Sequence, residues 1–570
     1  MNGMSRTQRL QCVNALVVAA IVCAGLAAHG LLPFTDYLLW DGWWYAADLA
    51  RGEGAPTMTR LFREVGRPMD MAFYLPMRLF GGDPMAWAKW LGMIAWIASG
   101  LCIAFVLQRG GGLALPTATA IAVLSVTLPV FDLLGELSLW MNTACVFFFW
   151  VAWALVVSLA STQSWLRYPI RLGAIVLFFV SFNLNSNLVM FYAVATMLVG
   201  LRSADVPWPA IPPRVGRLAA AKADFLLLPI LFWLWKTTFT PTSGYYAQGY
   251  NQPSLEPTRF VYGYAAMAVH FVGAGLLELV ASASWVGFSA AVAIAAGFML
   301  SNRSANGFDN DETPTARIAW WGVALLGAAA FPYLAVGQNL ASEGWLSRNA
   351  ILCNVPLAMI VVGGLGALNA KAVSSLPWLW AAGVVMVATL GIGNCHRNYF
   401  ALQAFGVKER SVQRKLQAAI AEHDACVVQL RDYYFLPSTI AYYPPAIWTF
   451  LASGTASAPK TFVIDTRAIA PDRISKNAQG HDTVVMPQLT PSAIDIDKAI
   501  HETTLPYAME GIRRAGPQIL FSILPGSLGN ESIRIGKRFM ALKFLDPEMA
   551  EDFEEQLTQA RVVLLPPVHE

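Results

Sequence analysis

The chain has 570 residues, of which 56% are hydrophobic and only 13% charged, against about 25% charged in an ordinary soluble domain. Its formal net charge is +3 and its mean hydropathy +0.49. That balance excludes a dedicated nucleic-acid binder and points away from a freely soluble globule.

The apolar residues come in blocks. In chain order, membrane-spanning helices are expected near 10–32, 86–107, 115–131, 139–160, 171–183, 187–201, 225–238, 283–300, 319–336, 349–368 and 378–394. Crossing the hydrocarbon takes about 20 helical residues. The backbone finds no water there, so helices are the expected form. The first block follows Arg6 and Arg9 and is long for a cleaved signal, so it reads as a retained anchor. The stretch 256–281 carries Arg259, His270 and Glu278, and reads as an interfacial or re-entrant helix packed on the bundle.

Basic residues set the orientation. Arg6 and Arg9, Arg109, Arg167 and Arg171, Arg202 to Lys222, Arg303 and Arg317, and Lys371 fall in alternate loops. The intervening loops 132–138, 183–187 and 337–348 are nearly free of lysine and arginine. The basic side is therefore expected in the cytoplasm. The loop 33–85, the segment 239–282 and everything beyond about residue 395 then face outward. A loop of that first length usually carries function or structure of its own.

From Lys408 the sequence turns charged and amphipathic. A helix is expected at Arg410–Glu422 and strands at Cys426–Leu430, Thr461–Ile464, Gln518–Ile523, Arg538–Leu545 and Arg561–Leu565. Further helices are expected at Pro445–Ala452 and Pro547–Ala560. The fold class is therefore mainly α: a polytopic transmembrane bundle of about eleven spans over 1–395, followed by a soluble extracytoplasmic α/β domain over 396–570.

Candidate chemistry concentrates in the outer loops. Asp41 follows the first span among Trp40, Trp43, Trp44 and Tyr45, with Asp36 and Asp48 nearby. A carboxylate at the bilayer surface can act as a general base toward a hydroxyl, and aromatic faces can stack on sugar rings. The competing reading makes Asp41 a helix N-cap and the aromatics an interfacial belt. Arg67, in Gly66-Arg67-Pro68, can grip a phosphate or simply pair with Glu64 or Asp70. Arg348 stands near Trp345 at the mouth of a span, where it either meets a lipid phosphate or snorkels. Tyr245 and Tyr246 lie in a polar loop that either lines a glycan groove or connects two elements. His270 and Glu278 share a helical face, as groove residues or as the wet side of an interfacial helix.

Other chemistries fail on inspection. The histidines show no metal-ligand spacing, and Gly529–Lys537 lacks the spacing of a phosphate loop. The seven cysteines are scattered, form no CxxC pair and read as packing residues.

With the long first outer loop, the acid at Asp41, the Gly66-Arg67-Pro68 segment and the late Phe331–Gly337 and Gly344–Asn349 stretches in place, residues 10–395 resemble the C-type (GT-C) membrane glycosyltransferases. The likeness is to the bacterial O-antigen glucosylating enzymes and related members. It implies transfer of a sugar from a polyprenyl-phosphate donor to a glycan acceptor on the periplasmic face of the bacterial inner membrane, with the N-terminus in the cytoplasm. Asp41 would be the base, and Arg67 and Arg348 would hold the departing phosphate. No cofactor is expected. Many members carry a pair of adjacent acids; here they are spread as Asp36, Asp41 and Asp48, which disfavours a divalent metal. The rival readings are a transporter or flippase of envelope precursors, and an O-antigen ligase or polymerase; the shortness of loop 337–349 disfavours the ligase.

Overall fold

The computed structural model describes residues 6–39, 42, 45–46, 49, 56–159, 162, 165–200, 223–247, 254–274, 315–341, 344–372, 378–425, 427–432, 462–465, 474–476, 482–484, 494–495, 517–529 and 531–565. The protein is mainly helical. The long helices are α1 (Arg6–His29), α4 (Pro84–Arg109), α5 (Leu115–Thr127), α6 (Trp140–Ser158), α7 (Arg167–Leu184), α8 (Leu188–Gly200), α9 (Ala223–Phe239), α11 (Thr315–Ala335), α12 (Asn354–Ala372) and α13 (Trp378–His423). Shorter helices α2 (Pro56–Glu64) and α3 (Leu75–Phe80) lie in the first loop, and α10 (Pro257–Ala268) precedes a π-turn over Val269–Ala274.

Ten of the eleven expected spans coincide with these helices; 283–300 lies outside the described residues. Among the described residues, five stretches are long and apolar enough to cross a membrane: Gln11–Phe34, Pro84–Arg109, Trp140–Ser158, Arg167–Leu184 and Ala316–Ala335. Leu115–Thr127, Leu188–Val199 and Asn354–Leu368 are shorter apolar helices. Helix α5 sits at the centre, buried from Ala118 to Thr127, with α1, α4, α12 and α13 packed around it. Local chemistry fixes the ends. Asp83 caps α4 by accepting from the N–H groups of Met85 (3.0 Å) and Ala86 (3.3 Å), with Pro84 in the first turn, where its missing N–H costs nothing.

Helix α10 runs antiparallel to α11. Ser254 N–H donates to the Ala335 carbonyl, Phe260 stacks on Phe331, and Tyr264 donates to the Gly327 carbonyl. It therefore packs lengthwise along α11 over Pro257–Ala268; residues 275–281 of the expected interfacial or re-entrant stretch lie outside the described residues.

Helix α13 is 46 residues long, about 70 Å of helix. It carries the chain unbroken through the 395/396 boundary expected from composition, and the helix expected at Arg410–Glu422 is its last part. Beyond it lies a four-stranded sheet in the order β2 (Phe462–Asp465), β1 (Val427–Asp432), β6 (Gln518–Pro525), β7 (Thr558–Leu565). The first three strands are parallel; β7 runs antiparallel to β6, with Gln518 opposite Leu565 and Pro525 opposite Thr558. Ile519, Phe521 and Ile523 point into the core with the period of two that a strand demands. A second, antiparallel sheet holds β3 (Ile474–Lys476), β4 (Asp482–Val484) and β5 (Ile494–Asp495).

One element differs from expectation. Arg538–Leu545 is not a strand but the end of helix α14 (Ser532–Leu545), followed by α15 (Pro547–Leu557). Its buried residues Ile535, Gly536, Phe539 and Met540 recur at a spacing of four, which puts them on one helical face. That face lies on α13 so closely that a Cβ at Gly536 would overlap the Phe400 carbonyl oxygen. The stretch 445–452 lies outside the described residues.

Candidate functional site

The loops expected on one side of the bundle do meet at one end of it. Arg67 Nη1 donates to the Leu184 carbonyl (2.8 Å), Ser243 N–H to Glu64 O (2.8 Å), and Asn185 Nδ2 to Tyr333 Oη (3.3 Å). Tyr74 donates to Leu137 O, Asp132 N–H to Ser347 Oγ, and Asn398 Nδ2 to Asp132 Oδ1 (2.6 Å). Described residues of the 33–85, 132–138, 183–187 and 337–349 loops, Ser243 of the segment that begins at 239, and the start of the post-395 region thus share one polar mouth. At the other end Arg171 and Asp224 form a bidentate pair between α7 and α9.

Within the mouth Asp70 is fully buried, and neither of its carboxylate oxygens has a hydrogen-bond partner. Burial pushes its carboxyl up to about 7, against the opposing pull of Arg67 and Lys236. Arg67 Nε lies 3.7 Å from Asp70 Oδ2, so the Arg67–Asp70 pairing is present. Lys236 extends from the end of α9 toward Ser186 Oγ at 3.5 Å. A guanidinium, an ammonium and a strained acid therefore gather where the apolar helices end.

A second acid lies close by. Glu136 is fully buried; its Oε2 accepts from Leu39 N–H (3.0 Å) and its Oε1 from Ser138 Oγ (3.3 Å). Burial pushes its carboxyl up to about 8, with the Ser138 and Leu39 N–H groups and Lys89 acting the other way. Gly42, beside Asp41 in the chain, lies directly against it: a Cβ there would overlap Glu136 Oε1. Buried Lys89 donates to the carbonyls of Thr35 (2.5 Å) and Tyr37 (3.2 Å), and its ammonium stands 4.3 Å from the centre of the Tyr37 ring. Glu136, Lys89 and Lys236 are not among the site residues expected from the sequence, where Asp70 enters only as a partner for Arg67. The available signal was a pair of acids, Asp132 and Glu136, in the otherwise uncharged Val130–Leu139 stretch and a lone lysine near each of two span ends.

The other expected site residues fall differently. Arg348 is half-buried in the 3-10 segment Gly344–Ala350, next to the Ser347 that holds Asp132. Tyr45 does not line an open groove; it is buried edge-on against Phe62 (5.6 Å) and Tyr74 (5.5 Å) in the loop's own core. Asp36 is held in an ion pair with Lys543 (2.6 Å), so it docks the C-terminal helices to the first loop instead of facing a substrate. His270 is exposed on the π-turn. Asp41, Trp40, Trp43, Trp44, Asp48 and Glu278 lie outside the described residues, as do the side chains of Tyr245, Tyr246 and Trp345. Among the described residues, no group of three or more His, Cys, Asp or Glu side chains is placed to hold a metal.

No family model, curated protein or solved structure matches the chain.

Proposed function

We propose that the protein is an integral-membrane glycosyltransferase that moves a sugar from a polyprenyl-phosphate donor to an envelope glycan, working at the polar mouth of the bundle on the periplasmic face of the inner membrane. The observation that carries this reading is Asp70, a fully buried carboxylate with no hydrogen-bond partner for either oxygen, beside Arg67 and near Lys236. Burying such a group costs several kcal/mol. Costs of this kind concentrate where the group is used. Cations set in a water-poor site suit a leaving phosphate, whose charge grows as the sugar departs.

In this reading the acceptor hydroxyl gives its proton to Asp41 and attacks the anomeric carbon. The bond from that carbon to the carrier phosphate oxygen breaks with inversion. Arg67, Arg348 and Lys236 take up the negative charge on the departing lipid phosphate, and apolar surface between helices accommodates the prenyl tail. Asp70 holds Arg67 in place, and Glu136 holds Leu39 and lies against Gly42, the residues that precede and follow Trp40 and Asp41 in the chain.

The test is complementation of a deletion strain, reading surface and lipid-linked glycans by mass spectrometry. Loss of one sugar branch on deletion, restored by the wild type and reduced about 100- to 1,000-fold in rate by Asp41→Asn or Arg67→Ala in protein that still inserts, is the expected result. An unchanged glycome with an altered solute pool overturns the transferase reading in favour of a transporter.

A further inference from the structure

A cleft of about 400 Å³ opens between α10 and the turn that follows α11. That volume lies within the range of small-molecule sites, about 300–1,000 Å³. Its rim carries Glu256, Thr258, Arg259, Tyr262, Gln338 and Asn339, over a floor of Gly263 and Leu334. The walls are built, not incidental. The turn is pinned by Gly337 N–H to Leu334 O (3.1 Å) and Gln338 N–H to Tyr333 O (2.9 Å). Gly337 adopts φ +76°, a left-handed conformation that glycine tolerates, and its lack of a side chain lets the Arg259 guanidinium lie against it. Arg259 Nη1 also reaches the Ala335 carbonyl at 3.4 Å, which fixes the head at the cleft wall.

The lining has a definite chemistry. Glu256 and Arg259 cancel in charge. Thr258 already donates to Glu256 Oε1 at 2.6 Å, leaving the carboxylate's other oxygen for a ligand. Gln338 and Asn339 each offer an amide donor and acceptor, and Tyr262 is an exposed aromatic ring, 75% accessible. A neutral set of mixed donors and acceptors beside an aromatic face fits a polyhydroxylated ring; a phosphate there would confront Glu256. The cleft also adjoins the mouth: Asn349 Nδ2 donates to the Asn339 carbonyl at 2.8 Å, one residue from Arg348.

We infer that this cleft binds a neutral sugar unit, and that it holds the acceptor glycan beside the mouth; the acceptor role rests on the transferase reading above, whereas the sugar site does not. The experiment uses the full chain in lipid nanodiscs. Saturation-transfer NMR is recorded with millimolar neutral disaccharides built from glucose, galactose, mannose and N-acetylglucosamine, and with inorganic phosphate as competitor. At least one sugar should receive saturation, phosphate should not displace it, and the Arg259→Lys variant and the Gln338→Ala/Asn339→Ala double variant should each weaken it about tenfold or more. Saturation of no sugar, binding unchanged in both variants, or displacement by phosphate overturns the inference. The Arg67→Ala protein separates the two proposals. If it binds sugar normally yet the glycome is intact, the transferase reading falls and the cleft stands. If it loses the glycan while the wild type binds no sugar, the cleft falls alone.

Discussion

Asp36 and Asp70 belong to the same loop, and the structure treats them in opposite ways. Asp36 is part-exposed and fully engaged: both its oxygens accept from Lys543 at 2.6 Å, and Arg410 donates to its backbone carbonyl at 2.9 Å. Asp70 is sealed from solvent with neither oxygen hydrogen-bonded, and its nearest ion-pair partner, Arg67, stands off at 3.7 Å. The first is the pattern of a clasp between two parts of a fold, where charge is matched and wet. The second is costly, and its return is the placement of Arg67, not stability of the fold. The contrast separates acids that hold the C-terminal helices in place from acids that equip the mouth.

The largest expected effect tests the buried member. With a carboxyl raised to about 7 in the folded state and near 3.8 when unfolded, Asp70 binds a proton in the native protein that the unfolded chain has already released between those values. Stability is therefore greatest below about pH 4 for this group and falls as pH rises toward 7. The full difference is on the order of 4 kcal/mol. Asp70→Asn removes this dependence, so SDS-titration unfolding in micelles should show a flatter pH profile and a more stable protein than wild type at pH 8. A wild-type stability that rises from pH 5 to pH 8 at the same rate in both proteins would remove Asp70 from the argument.

Glu136 comes next. Glu136→Gln keeps an oxygen for the Leu39 N–H, whereas Glu136→Ala strips that donor of its partner in a buried place. The alanine variant should lose about 1–3 kcal/mol of stability and the glutamine variant less than half of that, measured by the same unfolding assay. Gly42→Ala, which clashes with the Glu136 carboxylate in the wild type, should be tolerated better in the Glu136→Ala background.

Much of the architecture was legible because a membrane makes its demand by composition. Apolar blocks bounded by arginine and lysine can hardly be anything but helices, and the described helices follow those blocks within a few residues except α13, which runs on to His423. The strands at 427–432 and 518–525 were legible from short apolar runs. Arg538–Leu545 was not, because a short run such as Phe539–Leu542 fits either element, and only its packing on Phe400 through Gly536 decides. The site was less legible still. Arg67 announced itself by its setting between Gly66 and Pro68, but the importance of Asp70 lies in what fails to surround it, and that of Glu136 in contacts to Leu39 and Gly42, about a hundred residues away. Burial and long-range contact leave little trace in local sequence.

The smallest effect belongs to the clasp. Asp36 and Lys543 keep 24% and 36% of their side chains exposed, so water and salt compete for the pair, and its coupling energy should be about 0.2–1 kcal/mol. A double-mutant cycle with Asp36→Asn and Lys543→Met, read from unfolding in micelles, measures it directly. Arg410 should hold the helices in place throughout, because its bond to the Asp36 carbonyl and its 2.8 Å pair with Glu554 survive both substitutions. Raising salt should shrink the coupling further, since exposed charges are screened, whereas the Asp70 pH profile should hardly move. A coupling above about 2 kcal/mol that persisted in high salt would mean that Asp36 is as desolvated in solution as Asp70, and the distinction between a clasp acid and a mouth acid would no longer hold.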